Sequence, residues 1–320
     1  MDTKTALRIE RIQTVAQDVK CFDLVSVNET ELAPFEAGAH LELQLPNHLA
    51  RSYSLMNAPG ERHRYQIAVH LSPTSSGGSR YMHENLQEND VLLASLPRNN
   101  FPLDESDSVR HHCLIAGGIG ITPMLTMAQR LNDLGRSWEL HYGARTPAHA
   151  AFAAEAQALA QASGNRAFFY FDQEPGGQPM DLAGLGAAAP QDTHLYCCGP
   201  RGMLDAFELA TSHCRERAHV EYFTAKSQAA LEGGFILELA RSGLTLQVHR
   251  GRSILDVVFD AGISVPSSCR EGICGSCETR ILAGAADHRD ALLSEAEQNA
   301  NQTMMICCSG AKSTRLVLDL

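Results

Sequence analysis

The sequence lacks any long apolar run, and its first residues lack the apolar core of a signal peptide. A membrane-spanning helix needs about 20 consecutive apolar residues, and a secretory signal needs an apolar stretch followed by a cleavage site. We therefore expect no membrane association, no export and a cytoplasmic location. The apolar fraction of 44% and the charged fraction of 20% exclude a disordered or collagen-like chain.

Basic residues are too few for a protein that binds nucleic acid. The chain has 26 lysines and arginines against 37 aspartates and glutamates, which gives a formal net charge of −11. A protein that grips a phosphate backbone needs a basic face, so we expect no nucleic-acid partner. The excess of acidic residues is typical of a soluble protein.

Several catalytic signatures are also missing. The sequence has no G-x-S-x-G motif, and none of its 14 histidines forms H-E-x-x-H or a C-x-H pair of Rieske type. Serine-hydrolase and zinc-protease chemistry are therefore not indicated. His111 and His112 are interpreted only as residues that precede a strand.

Length and periodicity predict a multidomain protein, because 320 residues exceed what one hydrophobic core usually supports. Short alternating runs in residues 1–104 predict an antiparallel β-barrel. Strands alternating with helices, the latter expected over 122–134, 151–162 and 202–217, predict for residues 105–226 an α/β domain with a parallel, doubly wound sheet. After a linker at 227–234, residues 235–320 predict a small α+β domain with a hairpin, a helix capped by Ser253 that ends at Gly262, and a cysteine-rich segment.

The cysteines carry the most specific signal, since five of the ten lie in the last 52 residues. One spacing, C-x4-C-x2-C followed after 29 residues by a fourth cysteine, is that of a plant-type [2Fe–2S] site. The predicted ligands are Cys269, Cys274, Cys277 and Cys307. A structural zinc site is the alternative, but zinc usually takes two C-x2-C pairs.

Two details of this segment bear on its structure. Gly272 and Gly275 would let the loop turn its N–H groups toward the sulfur atoms. Cys308 competes with Cys307 as the fourth ligand, because neighbouring residues on a strand face opposite sides. The 29-residue gap favours Cys307.

The run Arg51-Ser52-Tyr53-Ser54 follows an alternating strand. Arginine can hold a phosphate through two hydrogen bonds, tyrosine can stack on a planar ring, and serine can bond a ring nitrogen. Further on, the glycine-rich segment Ser76-Gly77-Gly78-Ser79 could present N–H groups to a phosphate. An amphipathic edge strand would account for the first motif if it stood by itself.

Residues 117–124, GGIGITPM, lie between a predicted strand and a predicted helix, where backbone N–H groups and the helix N-terminus suit a pyrophosphate. The segment is not G-x-G-x-x-G, because Pro123 takes the place of the third glycine. Cys198-Gly199-Pro200 ends a second strand and begins a second helix. A tight turn without a ligand is the alternative for either motif, but both lie at carboxyl ends of strands, where open sheets bind ligands.

These motifs resemble one family. Residues 267–280, SSCREGICGSCETR, together with DHRD at 287–290 and the ending LVLDL, are similar to the ferredoxin domain of the phthalate dioxygenase reductase family. R-x-Y-S-L with the later G-G-S, and GGIGITPM with C-G-P, resemble the other two domains of that family within the ferredoxin–NADP reductase superfamily. Gly310 departs from the pattern, since the family often has arginine there.

The resemblance implies FMN, NADH and a [2Fe–2S] cluster as cofactors, and no separate segment for the adenylate half of FAD stands out. It implies a phosphate-binding role for Arg51 and Ser79, a flavin contact for Tyr53, and a catalytic position near the reactive flavin nitrogen for Ser54. It also implies the nicotinamide-side catalytic position for Cys198. The other residues implied in cofactor binding are Ser52, Ile67, Ala68, Val69, Gly77, Gly78, Gly118, Gly120, Thr122, Pro123, Gly199 and Pro200.

Two further residues are less decided. Asp172 could accept a hydrogen bond from a ribose hydroxyl and would repel a 2′-phosphate, whereas Arg145 would argue the opposite. The resemblance favours NADH and hence Asp172. Glu221-Tyr222-Phe223 resembles the family's E-x-F, whose aromatic residue lies by the flavin; a buried edge-strand aromatic explains Phe223 equally well.

The function implied is that of an NADH-dependent oxidoreductase, the reductase component of a two-component Rieske non-haem iron oxygenase system. A hydride would pass from NADH to FMN, and single electrons would pass through the cluster to the terminal oxygenase. Phthalate, vanillate and phenoxybenzoate systems have reductases of this kind. The partner contact is expected to be transient and the chain monomeric. The alternatives are an electron donor to a cytochrome P450 and a flavin and iron–sulfur redox sensor.

Overall fold

The computed structural model describes residues 4–73 and 77–320. The chain forms two compact units, Met1–Glu221 and Tyr222–Leu320. The strands are β1 (Thr5–Ala16), β2 (Val19–Ser26), β3 (Ala39–Gln44), β4 (Ala50–Ser54), β5 (Arg64–His70), β6 (Val91–Ala94), β7 (Arg98–Asn99), β8 (His111–Gly117), β9 (Ser137–Ala144), β10 (Arg166–Phe171), β11 (Thr193–Cys198), β12 (Ala218–Glu221), β13 (Phe235–Leu239), β14 (Leu244–Val248), β15 (Glu278–Ala283), β16 (Ala286–Asp287), β17 (Thr303–Met305), β18 (Gly310–Ala311) and β19 (Arg315–Leu318). The α-helices are α1 (Gly78–Glu84), α2 (Ile121–Asp133), α3 (Ala153–Ala162), α4 (Leu182–Ala188), α5 (Arg201–Ala210), α6 (Ile254–Asp260) and α7 (Glu295–Ala300). Within residues 4–73 and 77–320, no helix is both long and apolar enough to cross a bilayer.

The first sheet is antiparallel, with the strand order β4-β3-β6-β1-β2-β5 and the short β7 paired to β3. Its two end strands approach each other, since the Met56 N–H after β4 donates to the Gln66 carbonyl of β5 at 2.9 Å. The alternating leucines of β3 are fully buried in the interior with Ile9 and Phe22. The antiparallel barrel domain that the alternation predicts is thereby confirmed.

The second sheet is parallel throughout, in the order β10-β9-β8-β11-β12. The order reverses between β8 and β11, and this reversal creates the crevice at which doubly wound sheets bind ligands. The three central strands β9, β8 and β11 are largely buried, which explains their apolar runs, whereas the end strands β10 and β12 are at most half-buried. The predicted α/β nucleotide domain is confirmed, although the helix expected over 202–217 ends at Ala210.

A buried hydrogen bond joins these two parts of the first unit. The Thr126 hydroxyl of α2 donates to the Leu55 carbonyl after β4 at 2.5 Å, and Thr126 is fully buried. Replacing Thr126 by valine keeps the shape but leaves that carbonyl without its donor. We expect a loss of about 1–3 kcal/mol in the free energy of unfolding, measured by urea denaturation. A loss below the error of that measurement would show that the bond does not couple the two parts.

The second unit contains a mixed sheet, β14-β13-β19-β15-β17, and the small pair β16-β18. Helix α6 begins where the Ser253 side chain accepts from the Asp256 N–H, as the sequence predicts for an N-cap. Its buried residues pack with Leu237, Met304 and Leu316 in one core. The ferredoxin-like domain expected from the cysteine spacing is confirmed by this arrangement and by the family comparison given below.

Candidate functional site

The flavin motif lies on β4, the end strand of the barrel sheet. The hydroxyl groups of Ser52 and Ser54 are buried and have no hydrogen-bond partner among the described residues. Tyr53 packs against the barrel core, and burial raises the pKa of its phenol, so it stays protonated at neutral pH. A buried hydroxyl without a partner costs about 1–3 kcal/mol, and a bound polar ring would supply the missing partners.

The glycine-rich segment lies against the arginine of this motif. A Cβ atom on Gly78 would come within 2.7 Å of Arg51 Nε, and Gly77 has a φ of +101°. The Ser79 hydroxyl accepts from the Ser72 N–H at 3.3 Å. Ser76 lies outside the described residues. Arg51 and the first turn of α1 thus form a cradle that only glycine allows, and it fits a phosphate group.

The strand β5 carries the three residues expected along the flavin ring. Ile67, Ala68 and Val69 are buried and pair with β2 along one edge of β5. On the other side β5 ends the sheet. The Val69 carbonyl accepts a hydrogen bond from His83 Nε2 of α1 at 2.8 Å, a contact that the sequence did not indicate.

The two nucleotide motifs meet at the carboxyl ends of β8 and β11. A Cβ on Gly120 would lie 2.1 Å from the Cys198 carbonyl oxygen, and one on Gly117 would lie 2.6 Å from a carbon of Pro200. A Cβ on Gly199 would lie 2.8 Å from Met203 Sδ and 3.1 Å from the Gly117 backbone. The backbones therefore touch, and glycine is required at all three positions.

The rest of the first motif forms the start of α2. Gly118 has a φ of +53° and begins a single 3₁₀ turn that runs directly into the helix. Thr122 and Pro123 are buried in the first turn of α2, and the Thr122 hydroxyl donates to the Ile119 carbonyl at 3.1 Å. This geometry points helix N–H groups out of the turn and fits a pyrophosphate.

Cys198 and Glu221 lie side by side on β11 and β12. Burial, together with the Glu221 carboxylate, raises the pKa of the Cys198 thiol well above its ordinary value. One Glu221 carboxyl oxygen is buried without a partner among the described residues. The sequence singled out the Glu221-Tyr222-Phe223 motif but not the carboxyl group, because only strand pairing brings it beside Cys198.

Burial raises the pKa of Glu221 from 4.5 to about 8. The folded state therefore holds a proton that the unfolded state releases, so stability should fall as pH rises from about 4.5 to about 8. We expect the stability of Glu221→Gln to fall less than that of wild type over this range. The difference in free energy of unfolding, variant minus wild type, should be about 2–4 kcal/mol larger at pH 8 than at pH 4.5. Urea unfolding of both proteins across this pH range checks it; parallel curves would contradict it.

Asp172 and Phe223 are the two residues whose roles the sequence left undecided. Asp172 is exposed directly after β10, at the same sheet edge as the nucleotide motifs, and Arg145 is exposed after the neighbouring β9. Their backbones are linked nearby, since the Gln173 N–H donates to the Arg145 carbonyl at 3.0 Å. Phe223 is half-buried and follows β12 in the second unit. Its position by the flavin stays a prediction.

The cysteine loop of the second unit has the backbone conformation that its glycines suggest. Gly272 and Gly275 have φ values of +72° and +75°, and Arg270 has +59°. The turn directs the Glu271 N–H to Cys269 Sγ at 3.3 Å. A Cβ on Gly272 would come within 3.0 Å of the Asp290 backbone, so the loop packs closely against the DHRD segment.

The thiols of Cys269, Cys274, Cys277 and Cys307 are linked by hydrogen bonds: Cys269 is bonded to Cys274 and Cys307, and Cys307 is also bonded to Cys277. Hydrogen bonds from Cys274 and Cys307 hold the pKa of Cys269 below its ordinary value, and the bond from Cys307 lowers that of Cys277. Four soft sulfur donors linked in this way, with a backbone N–H directed at one of them, fit an iron–sulfur cluster.

Cys308 has a different environment. Its sulfur lies 3.7 Å from the Met305 carbonyl and 3.8 Å from the Ser309 hydroxyl. Cys307 is hydrogen-bonded to Cys269 and Cys277, and also to Cys308. The structure thus supports Cys307 as the fourth ligand.

The segment predicted as a linker packs against the cluster region. The Ala230 N–H donates to the Cys308 carbonyl at 2.8 Å, and the Ser227 hydroxyl donates to the Arg289 carbonyl at 2.8 Å. A Cβ on Gly310 would lie 2.9 Å from the Ala230 side chain. The glycine that departs from the family pattern is therefore needed for this packing.

Comparison with known proteins identifies two domain families in the chain. Residues 114–208 match the oxidoreductase NAD-binding domain, and residues 237–312 match the 2Fe-2S iron–sulfur cluster binding domain. The chain is 49% identical over 316 residues to the phenoxybenzoate dioxygenase subunit beta of Ectopseudomonas oleovorans, covering 98% of this chain and 97% of the relative.

Two solved structures are similar over the whole chain. A phthalate dioxygenase reductase, described as a modular structure for electron transfer from pyridine nucleotides to [2Fe–2S], is 39% identical with a TM-score of 0.74, covering all of this chain and 98% of that one. An intact type IV self-sufficient cytochrome P450 monooxygenase is 34% identical with a TM-score of 0.89. The match covers 99% of this chain but only 41% of the P450 chain.

The family resemblance drawn from the motifs is confirmed by these comparisons. Identity extends over nearly the full length of both the dioxygenase subunit and the phthalate dioxygenase reductase. The matched NAD-binding domain contains both nucleotide motifs, and the matched iron–sulfur domain contains the four-cysteine motif. The chain therefore belongs to the phthalate dioxygenase reductase family of oxidoreductases.

Proposed function

We propose that this protein is the NADH-dependent reductase component of a two-component Rieske-type non-haem iron oxygenase system. It takes a hydride from NADH and delivers electrons singly to a separate terminal oxygenase that acts on an aromatic compound. The observation that carries this proposal is that one chain contains three sites. They are two touching glycine turns that suit a nucleotide, a phosphate-sized site at Arg51 and the first turn of α1, and four linked cysteine thiols. Its similarity to phenoxybenzoate and phthalate reductase components supports the aromatic class.

The barrel residues hold FMN. Arg51, Ser79 and the N–H groups of Gly77 and Gly78 bind the phosphate, and Tyr53 packs on the ring. The orphaned hydroxyls of Ser52 and Ser54 gain partners on the ring, with Ser54 nearest the reactive nitrogen. The outer backbone edge of residues 67–69 aligns the ring. A flavin accepts an electron pair as a hydride and releases electrons one at a time, whereas a [2Fe–2S] cluster takes one.

The α/β residues position NADH. Gly118, Gly120, Thr122 and Pro123 present the start of α2 to the pyrophosphate. Gly199 and Pro200 keep the second turn against the first, which places Cys198 at the nicotinamide end. The role of this thiol is to pack and to exclude water, since its raised pKa keeps it neutral. Asp172 selects NADH by accepting from the ribose hydroxyl.

The cluster ligands are Cys269, Cys274, Cys277 and Cys307, with the Glu271 N–H bonded to the sulfur of Cys269. Such hydrogen bonds to sulfur tune the reduction potential of a cluster. The domains are proposed to span residues 1–104, 105–226 and 235–320, with 227–234 as the connecting segment. We place the protein in the cytoplasm, where a disulfide framework is not expected.

The oxygenase partner is bound transiently by a monomer of this chain. Electron-transfer encounters bury little surface and dissociate quickly, and complementary charge mainly speeds association. With a net charge of −11, this chain favours a partner that has a basic docking face. Lower ionic strength should therefore raise the rate of electron delivery.

Reconstitution tests the proposal. The purified protein, NADH and a candidate Rieske-type oxygenase with its aromatic substrate are mixed, and product, NADH and oxygen are followed. Product formation that requires both proteins is expected, with many turnovers per reductase. If the oxygenase stays oxidised while cytochrome c is reduced in the same mixture, the chain is a reductase with another partner.

Electron donation to a cytochrome P450 is the second candidate, favoured by the full-length similarity to part of a self-sufficient P450. In that protein the similar region belongs to a chain more than twice as long, so the acceptor is held in the same polypeptide. The same reconstitution with a P450 in place of the oxygenase separates the two functions. Faster reduction of the P450 than of any Rieske-type oxygenase would select this candidate.

A further inference from the structure

Three metal-ligating side chains lie together in the parallel sheet, away from the cofactor motifs. Cys113 of β8 and Glu139 and His141 of β9 each direct one ligand atom into a space in which these atoms all lie within 4.8 Å of one another. Cys113 precedes Gly117 by four residues, which places the group roughly 13 Å along the strand from the nucleotide turn. Cofactor binding therefore gives no reason for this cluster.

The strand register explains why the three side chains meet. Cys113 pairs with Glu139, and Ile115 pairs with His141, so odd-numbered residues of both strands share one face of the sheet. Trp138 lies on the opposite face, where its indole N–H donates to Asn132 of α2 at 2.7 Å. The group thus lies on the face turned away from α2.

His141 is held in an orientation suited to a ligand. Its Nδ1 is hydrogen-bonded to the Tyr170 hydroxyl at 2.9 Å, and its ring stacks on Phe168 with centroids 4.9 Å apart. The remaining nitrogen, Nε2, is buried and makes no hydrogen bond within the described residues. Metal-binding histidines usually have one nitrogen fixed in this way by a partner, which directs the other to the metal.

Glu139 supplies a negative oxygen at the same point. Arg166 binds Oε2 at 3.2 Å, so Oε1 is left facing His141 Nε2 at 3.4 Å and His111 Nε2 at 3.9 Å. His111 is itself fixed through Nδ1 by the Ser137 hydroxyl at 2.8 Å.

We propose that Cys113, Glu139 and His141, with His111 as a fourth ligand, form a binding site for a divalent cation of the zinc class. Zinc bonds of about 2.0–2.3 Å place tetrahedral ligand atoms roughly 3.3–3.8 Å apart, close to the separations of the two imidazoles from Oε1. One thiolate, two imidazoles and one carboxylate are donors that zinc prefers over magnesium or calcium. The bound ion ties β8 to β9 and stabilises the nucleotide part of the first unit.

Binding at this site releases a proton. The Cys113 thiol gives its proton to solvent as the metal–sulfur bond forms, with no change in oxidation state. An ion pair between Glu139 and a protonated His111, without metal, is the alternative.

The test uses the purified protein with its full complement of cluster iron, dialysed against zinc chloride and assayed for bound zinc. One zinc per chain is expected in addition to the cluster iron, and Cys113→Ala or His141→Gln should weaken binding at least a hundredfold. Cys214→Ala removes another buried thiol of the same unit and should bind as wild type does. No bound zinc in wild type, or unchanged binding in Cys113→Ala, would overturn the proposal.

X-ray absorption at the zinc edge gives a second measurement that needs no variant. One sulfur and three nitrogen or oxygen neighbours are expected around the ion. A shell of four sulfurs would place the zinc at the cluster cysteines and would also overturn the proposal.

Discussion

Cys307→Ser is expected to abolish the [2Fe–2S] cluster and, with it, electron delivery to cytochrome c or an oxygenase. Cys307 is the thiol that contacts both Cys269 and Cys277, and a hydroxyl is a poor substitute for a thiolate in such a site. Reduction of the flavin by NADH should continue, because its residues lie in the other compact unit. Iron analysis and a stopped-flow record of flavin bleaching measure both effects.

Cys308→Ser is the matched control, one residue away and equally buried. Its sulfur lies near the Met305 carbonyl and the Ser309 hydroxyl, and it is hydrogen-bonded to Cys307. This variant should retain its iron and at least half of the wild-type rate. If Cys308→Ser loses the cluster and Cys307→Ser retains it, the ligand assignment is wrong.

Gly120→Ala is expected to have the largest effect on nucleotide binding. Its Cβ would lie 2.1 Å from the Cys198 carbonyl oxygen, and a backbone group cannot move aside as a flexible side chain can. Separating the two turns should cost about 1–3 kcal/mol, which corresponds to a roughly 5- to 150-fold weaker Kd for NADH. Flavin content should be unchanged, and titration with NADH under anaerobic conditions measures the affinity.

Gly202→Ala provides the control for that variant. Gly202 lies in α5, close in sequence to the second turn, and its Cβ would meet no atom within 4 Å. Alanine is favoured over glycine in a helix by about 1 kcal/mol, so affinity should be unchanged and stability slightly raised. Equal losses of affinity in both variants would show that the close approach of the turns is not what matters.

The sequence predicts those features that depend on local spacing. Three features depend mostly on residues that are close in sequence: the four-cysteine spacing, the leucine alternation of β3 and the Ser253 cap. The strand and the helix form where expected. The glycine motifs at 117–124 and 198–200 were recognisable because strand, turn and helix follow one another in sequence. Domain type and cofactor class followed from these local patterns together with the family resemblance.

The features that sequence could not provide depend on pairing between distant strands. Glu221 becomes a buried partner of Cys198 only because β12 pairs with β11, and Cys113 meets His141 only through the register of β8 and β9. Helix α1 was missed because its seven residues follow a glycine-rich loop and are too short for a helical pattern. The helix expected to reach Arg217 ends early, where the Thr211 hydroxyl bonds the Phe207 carbonyl.

The direct test of the whole account is an anaerobic titration of the purified protein with NADH, followed by visible absorption and by electron paramagnetic resonance at low temperature. The account predicts FMN and a [2Fe–2S] cluster bound to the same chain, bleaching of the flavin band, and the signal of a reduced [2Fe–2S] cluster in wild type but not in Cys307→Ser. A flavin that bleaches while the cluster of the intact protein stays oxidised would contradict it, because the route from nucleotide to iron would then not exist.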